Sequence, residues 1–134
     1  MAKLSKIMLV EDEPDIREIA SLALTELGGF NLTLCESGQQ ALDKLPAALP
    51  QLVLLDVMMP DMDGPTTLQK LRTMSEMKNV PVIFMTARVQ ANEVEEYLKL
   101  GALGVIPKPF DPATLSTEII KIWNEFAEKN LTVD

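Results

Sequence analysis

Leu52-Val-Leu-Leu-Asp-Val-Met-Met-Pro-Asp-Met-Asp-Gly64 is the stretch that decides the fold. It opens on an unbroken apolar run too short for a helix, which marks a strand buried on both faces. The run closes on an acid, Asp56, and then on turn-forming residues, Pro60, Asp61, Asp63 and Gly64. Similar runs recur at Ile7 to Val10, Leu32 to Leu34, Val82 to Met85 and Val105 to Ile106, which makes five candidate strands in all.

Helix-period segments separate them. Ile16, Ile19, Ala20, Ala23, Leu24 and Leu27 share one face, and Gly28-Gly29 supplies a stop. Gly64-Pro65 opens a helix carrying Leu68 and Leu71, and Val94, Tyr97 and Leu98 form another that ends before Gly101. Asp111 is placed to cap the last helix, with Pro112 at its first position and Leu115, Ile119, Ile122, Trp123 and Phe126 along its face. A shorter helix is expected from Ser37 to about Leu45, where Pro46 and Pro50 limit it. Five strand-helix alternations predict a doubly wound α/β domain: a five-stranded parallel sheet with helices on both faces. One domain over residues 1–134 is expected, with a core at about 5–127 and a tail, Lys129 to Asp134, that frays.

Composition narrows function. The 134 residues carry 12 basic and 20 acidic side chains, a formal net charge of -8 that disfavours direct binding to nucleic acid or anionic membrane. One cysteine, Cys35, excludes an internal disulfide and points to a reducing cytoplasm. The run Ile7 to Val10 is too short for a signal peptide or membrane span. With no histidine, the chain lacks the commonest general base and phosphohistidine carrier.

Ligand sites in open parallel sheets lie beyond the C-terminal strand ends. There the sequence puts Glu11 and Asp12 after the first strand, Asp56 after the third, Thr86 at the close of the fourth and Lys108 after the fifth. Clustered carboxylates repel one another unless a hard cation neutralises them, and magnesium suits oxygen donors, with Asp12 and Asp56 as direct ligands. Asp56 is then positioned to attack an activated phosphorus, with Lys108 balancing charge and Thr86 donating to the phosphoryl group. Each residue alone also has a plainer reading: Asp12 and Thr86 as helix caps, Lys108 as a surface lysine. Coincidence at four strand ends favours the site.

In order and spacing, the segments Ile7-Met-Leu-Val-Glu-Asp-Glu-Pro14, Leu52 to Gly64, Val82-Ile-Phe-Met-Thr-Ala87 and Lys108-Pro-Phe110 resemble the signature regions of two-component response regulator receiver domains. The chemotaxis regulators belong to this family, and the resemblance spans nearly the whole chain. It implies a flavodoxin-like (βα)5 fold, phosphoryl acceptance on Asp56, a metal-binding acidic pair in Glu11 and Asp12, and a metal ligand in the Met58 carbonyl, with Glu11 acting through water. It further implies that Thr86 and Lys108 hold the phosphoryl oxygens, that Lys108-Pro109 is cis and that Gly64 permits the turn into the third helix. A histidine kinase or phosphotransfer protein is the implied donor, and acetyl phosphate a substitute. Output is expected in trans through the fourth-helix, fifth-strand and fifth-helix surface, from a monomer or weak dimer that is not otherwise an enzyme. One departure stands out: many members place an aromatic three residues before the lysine, where this chain has Val105. Met58 and Arg88 occupy positions that tune loss of the phosphoryl group, and their length suggests slow release. Trp123 reads as packing. Among competing classes, an aspartyl-nucleophile phosphatase lacks its second acid, since Met58 stands there. A receiver-like interaction module without phosphorylation would not need the full acidic set. Flavin binding lacks a glycine-rich loop after the first strand.

Overall fold

The computed structural model describes residues 3–133, with side-chain surroundings for residues 3–129. Of the tail expected to fray, Lys129 to Asp134, the backbone is helical through Val133, and Asp134 lies outside the described residues. The elements run β1 (Lys6–Val10), α1 (Pro14–Leu22) continuing as a π-helical turn (Ala23–Leu27), β2 (Asn31–Cys35) and α2 (Gly38–Ala48). There follow β3 (Leu52–Asp56), α3 (Gly64–Leu71), β4 (Val82–Thr86), α4 (Ala91–Lys99), β5 (Gly104–Pro107) and α5 (Leu115–Val133). All five strands pair in parallel, in the order β2-β1-β3-β4-β5, so every C-terminal strand end lies at one edge.

Strand alternation divides the apolar side chains into two cores. Met8, Val10, Val53, Leu55, Val82 and Phe84 face Ala41, Leu45, Leu68, Leu71 and Tyr97 from α2, α3 and α4. Ile7, Leu9, Leu52, Leu54, Ile83, Met85 and Ile106 face Ala20, Ala23, Leu24, Leu115, Ile119 and Trp123 on the other side. The central strands β3 and β4 are buried throughout, which is why their sequences are continuously apolar; the edge strand β2 is not. Trp123 lies in the core beside Phe126, as expected of packing. Cys35 is free and buried, and burial pushes its thiol up to about 11, outweighing the favourable charge of Lys44.

One local expectation is corrected and two are refined. Helix α2 passes through Pro46 and ends at Ala48, with Leu49 in the left-handed conformation at φ 44°. The fully buried Leu45 anchors this last turn, and its carbonyl accepts the Leu49 N–H at 3.0 Å, which offsets the bond Pro46 cannot donate. Asp111 does cap the last helix, its Oδ1 accepting the Ala113 N–H at 2.9 Å and its carbonyl the Leu115 N–H at 3.0 Å, but regular helix begins only at Leu115. The stop at Gly28-Gly29 holds, with Gly29 at φ +70°, while the turn before it widens so that the Gly28 N–H reaches Ala23 O at 3.0 Å.

Candidate functional site

Register brings the site together. Val10 pairs with Leu55 and Asp56 with Met85, so the residues after β1 and the end of β3 meet at the sheet edge. Thr86 pairs with Pro107, and the Lys108 N–H donates to Thr86 O at 2.9 Å, which draws the lysine to the same edge. The loop from β3 to α3 folds back on the strand: Gly64 N–H donates to Val57 O at 2.9 Å. A Cβ on Gly64 would lie 2.5 Å from Asp56 O and 2.9 Å from Val57 Cα. Glycine permits this turn through close approach rather than through an unusual dihedral, since Gly64 is not among the positive-φ residues. Asp63 caps α3, accepting the Thr66 N–H at 2.8 Å.

Glu11, Asp12 and Asp56 form one cluster, each offering a carboxylate oxygen within 4.8 Å of the others. Glu11 and Asp56 are buried and Asp12 is half-buried. The Lys108 ammonium bridges two of them, donating to Glu11 Oε1 and, at 2.9 Å, to Asp56 Oδ1. Burial pushes the Asp56 carboxyl up to about 7; the Lys108 hydrogen bond opposes this, and the charge of Glu11 and the close approach of the Asp12 carboxyl add to it. Burial alone would lower the Lys108 ammonium, but its bonds to Glu11 and Asp56 outweigh that and raise it. The carboxylates thus outnumber the single cation that holds them.

Donor inventory distinguishes the three acids. Both Glu11 oxygens are engaged, Oε1 by Lys108 and Oε2 by the Glu13 N–H at 3.1 Å. Asp12 Oδ1 is buried without any hydrogen-bond partner. A buried, ionisable oxygen left unsatisfied is costly, and a hard cation with oxygen preference is the partner this geometry fits. The plainer readings fail here: α1 is capped at Glu13 and α4 at Gln90, so neither Asp12 nor Thr86 is the helix cap, and Lys108 is mostly buried.

Thr86 is buried at the edge, and its hydroxyl oxygen accepts the Arg88 N–H at 3.0 Å; the hydroxyl makes no hydrogen bond to Asp56 or to the Lys108 ammonium. The Met58 side chain is exposed, which leaves only its backbone as a donor toward the cluster. The Arg88 side chain is exposed. Lys108-Pro109 is cis, as the resemblance implied. Val105 is half-buried and packs on the core that holds Tyr97, and Tyr97 of α4 meets Phe84 of β4 edge to face at 5.4 Å. Sequence reasoning missed Arg17, whose guanidinium donates to both Glu11 O and Asp12 O. Its only signal was an arginine in the first turn after the acidic pair.

Comparison with known proteins agrees with this architecture. The sequence pattern of the response regulator receiver domain matches residues 7–120. Response regulator Rre1 of Synechocystis sp. is 38% identical over 115 residues, covering 86% of this chain and 50% of that protein. The transcriptional regulatory protein CpxR of Escherichia coli K12 is 40% identical, covering 95% of this chain and 55% of its own length. The chemotaxis response regulator CheY4 of Vibrio cholerae superposes with a TM-score of 0.82 at 28% identity, covering 90% of this chain and 99% of that one. The chain belongs to the response regulator receiver domain family of two-component systems. It spans about half the length of the curated relatives it matches.

Proposed function

We propose that this receiver accepts a phosphoryl group on Asp56 from the phosphohistidine of a histidine kinase or phosphotransfer protein. The observation that carries the reading is the unpartnered buried Asp12 Oδ1 beside an Asp56 that shares its other neighbour, Lys108, with Glu11. Asp12, Asp56 and the Met58 carbonyl would hold magnesium directly, and Glu11, with both oxygens occupied, would act through a water. When bound, magnesium supplies positive charge that offsets the crowded carboxylates and the phosphoryl oxygens.

The residues then have distinct tasks. A carboxylate oxygen of Asp56 attacks phosphorus in line with the departing imidazole nitrogen. The P–N bond breaks, its electron pair stays on the imidazole, and an acyl phosphate forms on Asp56. Lys108, already against Asp56, is placed to hold a phosphoryl oxygen. Thr86 accepts from Arg88, which leaves its own hydrogen to donate to the phosphoryl group. That contact ties the phosphoryl group to the loop leading into α4, so phosphorylation biases the α4-β5-α5 surface toward a second state that an output partner reads. With Val105 in β5, the Phe84 and Tyr97 pair provides the aromatic connection between the site strand and α4. The protein is a phosphoacceptor that catalyses its own modification rather than an enzyme on other substrates, and the exposed, non-acidic Met58 supports this over a phosphatase.

Beside Lys108 an apolar groove of about 270 Å³ is lined by Ile16, Ile19, Pro109, Phe110 and Pro112, an apolar seat for the donor protein next to the acceptor. Among the described residues no helix is long and apolar enough to cross a membrane; the free, buried Cys35 supports a reducing, cytoplasmic setting. The test is intact mass after incubation with acetyl phosphate and magnesium. A phosphoryl-sized gain in the native chain, lost with chelator and in Asp56→Ala, is expected. An equal gain in Asp56→Ala would move the acceptor elsewhere, and no gain with several phosphodonors would favour an interaction module that is not phosphorylated.

A further inference from the structure

Arg17 lies in the first turn of α1, five residues after Asp12, and its side chain is only 17% exposed. One guanidinium nitrogen, Nη1, donates to Glu11 O at 2.9 Å and to Asp12 O at 3.3 Å. The other, Nη2, donates to Glu36 Oε1 at 3.0 Å, beyond the end of β2. The planar fork therefore ties the backbone of both acidic residues to the helix that follows them and to the neighbouring strand's loop. No other described side chain holds these two carbonyls. Without it, the segment between Val10 and Pro14 would be held by the Glu11 N–H on Cys35 O, the Glu13 N–H and Lys108 ammonium on the Glu11 carboxylate, and the backbone Arg17 N–H on Glu13 O. None of these bonds is made by Asp12, the residue whose oxygen is left unpartnered.

We infer that Arg17 is a positioning residue for the cation site: it fixes the backbone that aims the Glu11 and Asp12 carboxylates. The inference rests on the metal reading proposed above. It opposes simple electrostatics, which makes it testable. Arg17 is a positive charge behind a cation site, so removing it should strengthen cation binding if charge alone mattered. If positioning dominates, removal weakens binding, because groups that orient metal ligands typically contribute about 10-fold or more to metal affinity.

Calorimetric titration of the metal-free full chain with Mg2+ decides this, with thermal melts without metal run in parallel. For Arg17→Met an increase in Kd of about 10-fold is expected. Arg17→Lys keeps the charge but loses the fork, and a rise in Kd of about 3-fold or more is expected. Glu36→Gln, which leaves both carbonyl contacts, should stay within about twofold of the native chain. Arg17→Lys covers the case in which Arg17→Met fails to fold. Native-like or tighter Mg2+ binding by either folded Arg17 variant, even with a lowered melting temperature, overturns the inference and leaves Arg17 a structural tie. Failure of the native chain itself to bind Mg2+ would instead overturn the metal reading beneath it.

Discussion

At the scale of single residues the site is a balance of charge that is unfavourable without a cation. Asp56 sits near a pKa of about 7 against an ordinary 3.8, because it is buried among other acids. The folded state then binds a proton that the unfolded chain has already lost, so this group's contribution to stability is full below the unfolded value and is lost as pH rises through about 7. Replacing the carboxylate by an amide removes the loss. Metal-free Asp56→Asn is therefore expected to be more stable than the native protein by on the order of 2 kcal/mol near pH 8, with the gain shrinking as pH falls below 7, measured by denaturant unfolding. Gly64 limits the site sterically. Gly64→Ala would press a methyl against the Asp56 and Val57 backbone and should cost about 2 kcal/mol in the same assay.

At the scale of elements, much was legible because the strands are short apolar runs that end on chemistry. Glu11, Asp56, Thr86 and Lys108 each follow or close such a run, so parallel topology alone gathers them. The illegible parts depend on contacts distant in sequence. Nothing local says that Lys108 will bridge Glu11 and Asp56 or that Arg17 will reach Glu36. The run through Pro46 was missed for a related reason: burial of Leu45 overrides a local helix-breaking signal. The groove between α1 and the segment after β5 gives a prediction at this scale. Ile19→Glu should slow transfer from a phosphorylated kinase or phosphotransfer protein by about 10-fold or more, while labelling by acetyl phosphate stays native, as expected if Ile19 anchors the donor and takes no part in the chemistry. Equal loss with both donors would place the defect in the site itself.

At the scale of the whole molecule, the sheet couples the site to the fold. Two cores, one on each face, converge on β1 and β3, whose ends carry the acids, so on the proposed metal site cation binding and global stability are linked. On the proposed metal site protons compete with Mg2+ for Asp56, hence Mg2+ should raise the melting temperature more near pH 8 than near pH 6, in scanning calorimetry at fixed ionic strength. A pH-independent increment would mean that the cation binds away from Asp56. The most direct test of the central claim is to locate the phosphoryl group chemically. After labelling with acetyl phosphate and magnesium, borohydride reduction converts a phosphorylated carboxyl to an alcohol, and peptide mapping by mass spectrometry reads its position. A reduced side chain at Asp56 alone is the predicted result; reduction at Glu11 or Asp12, or none in a chain that had gained the phosphoryl mass, would contradict it.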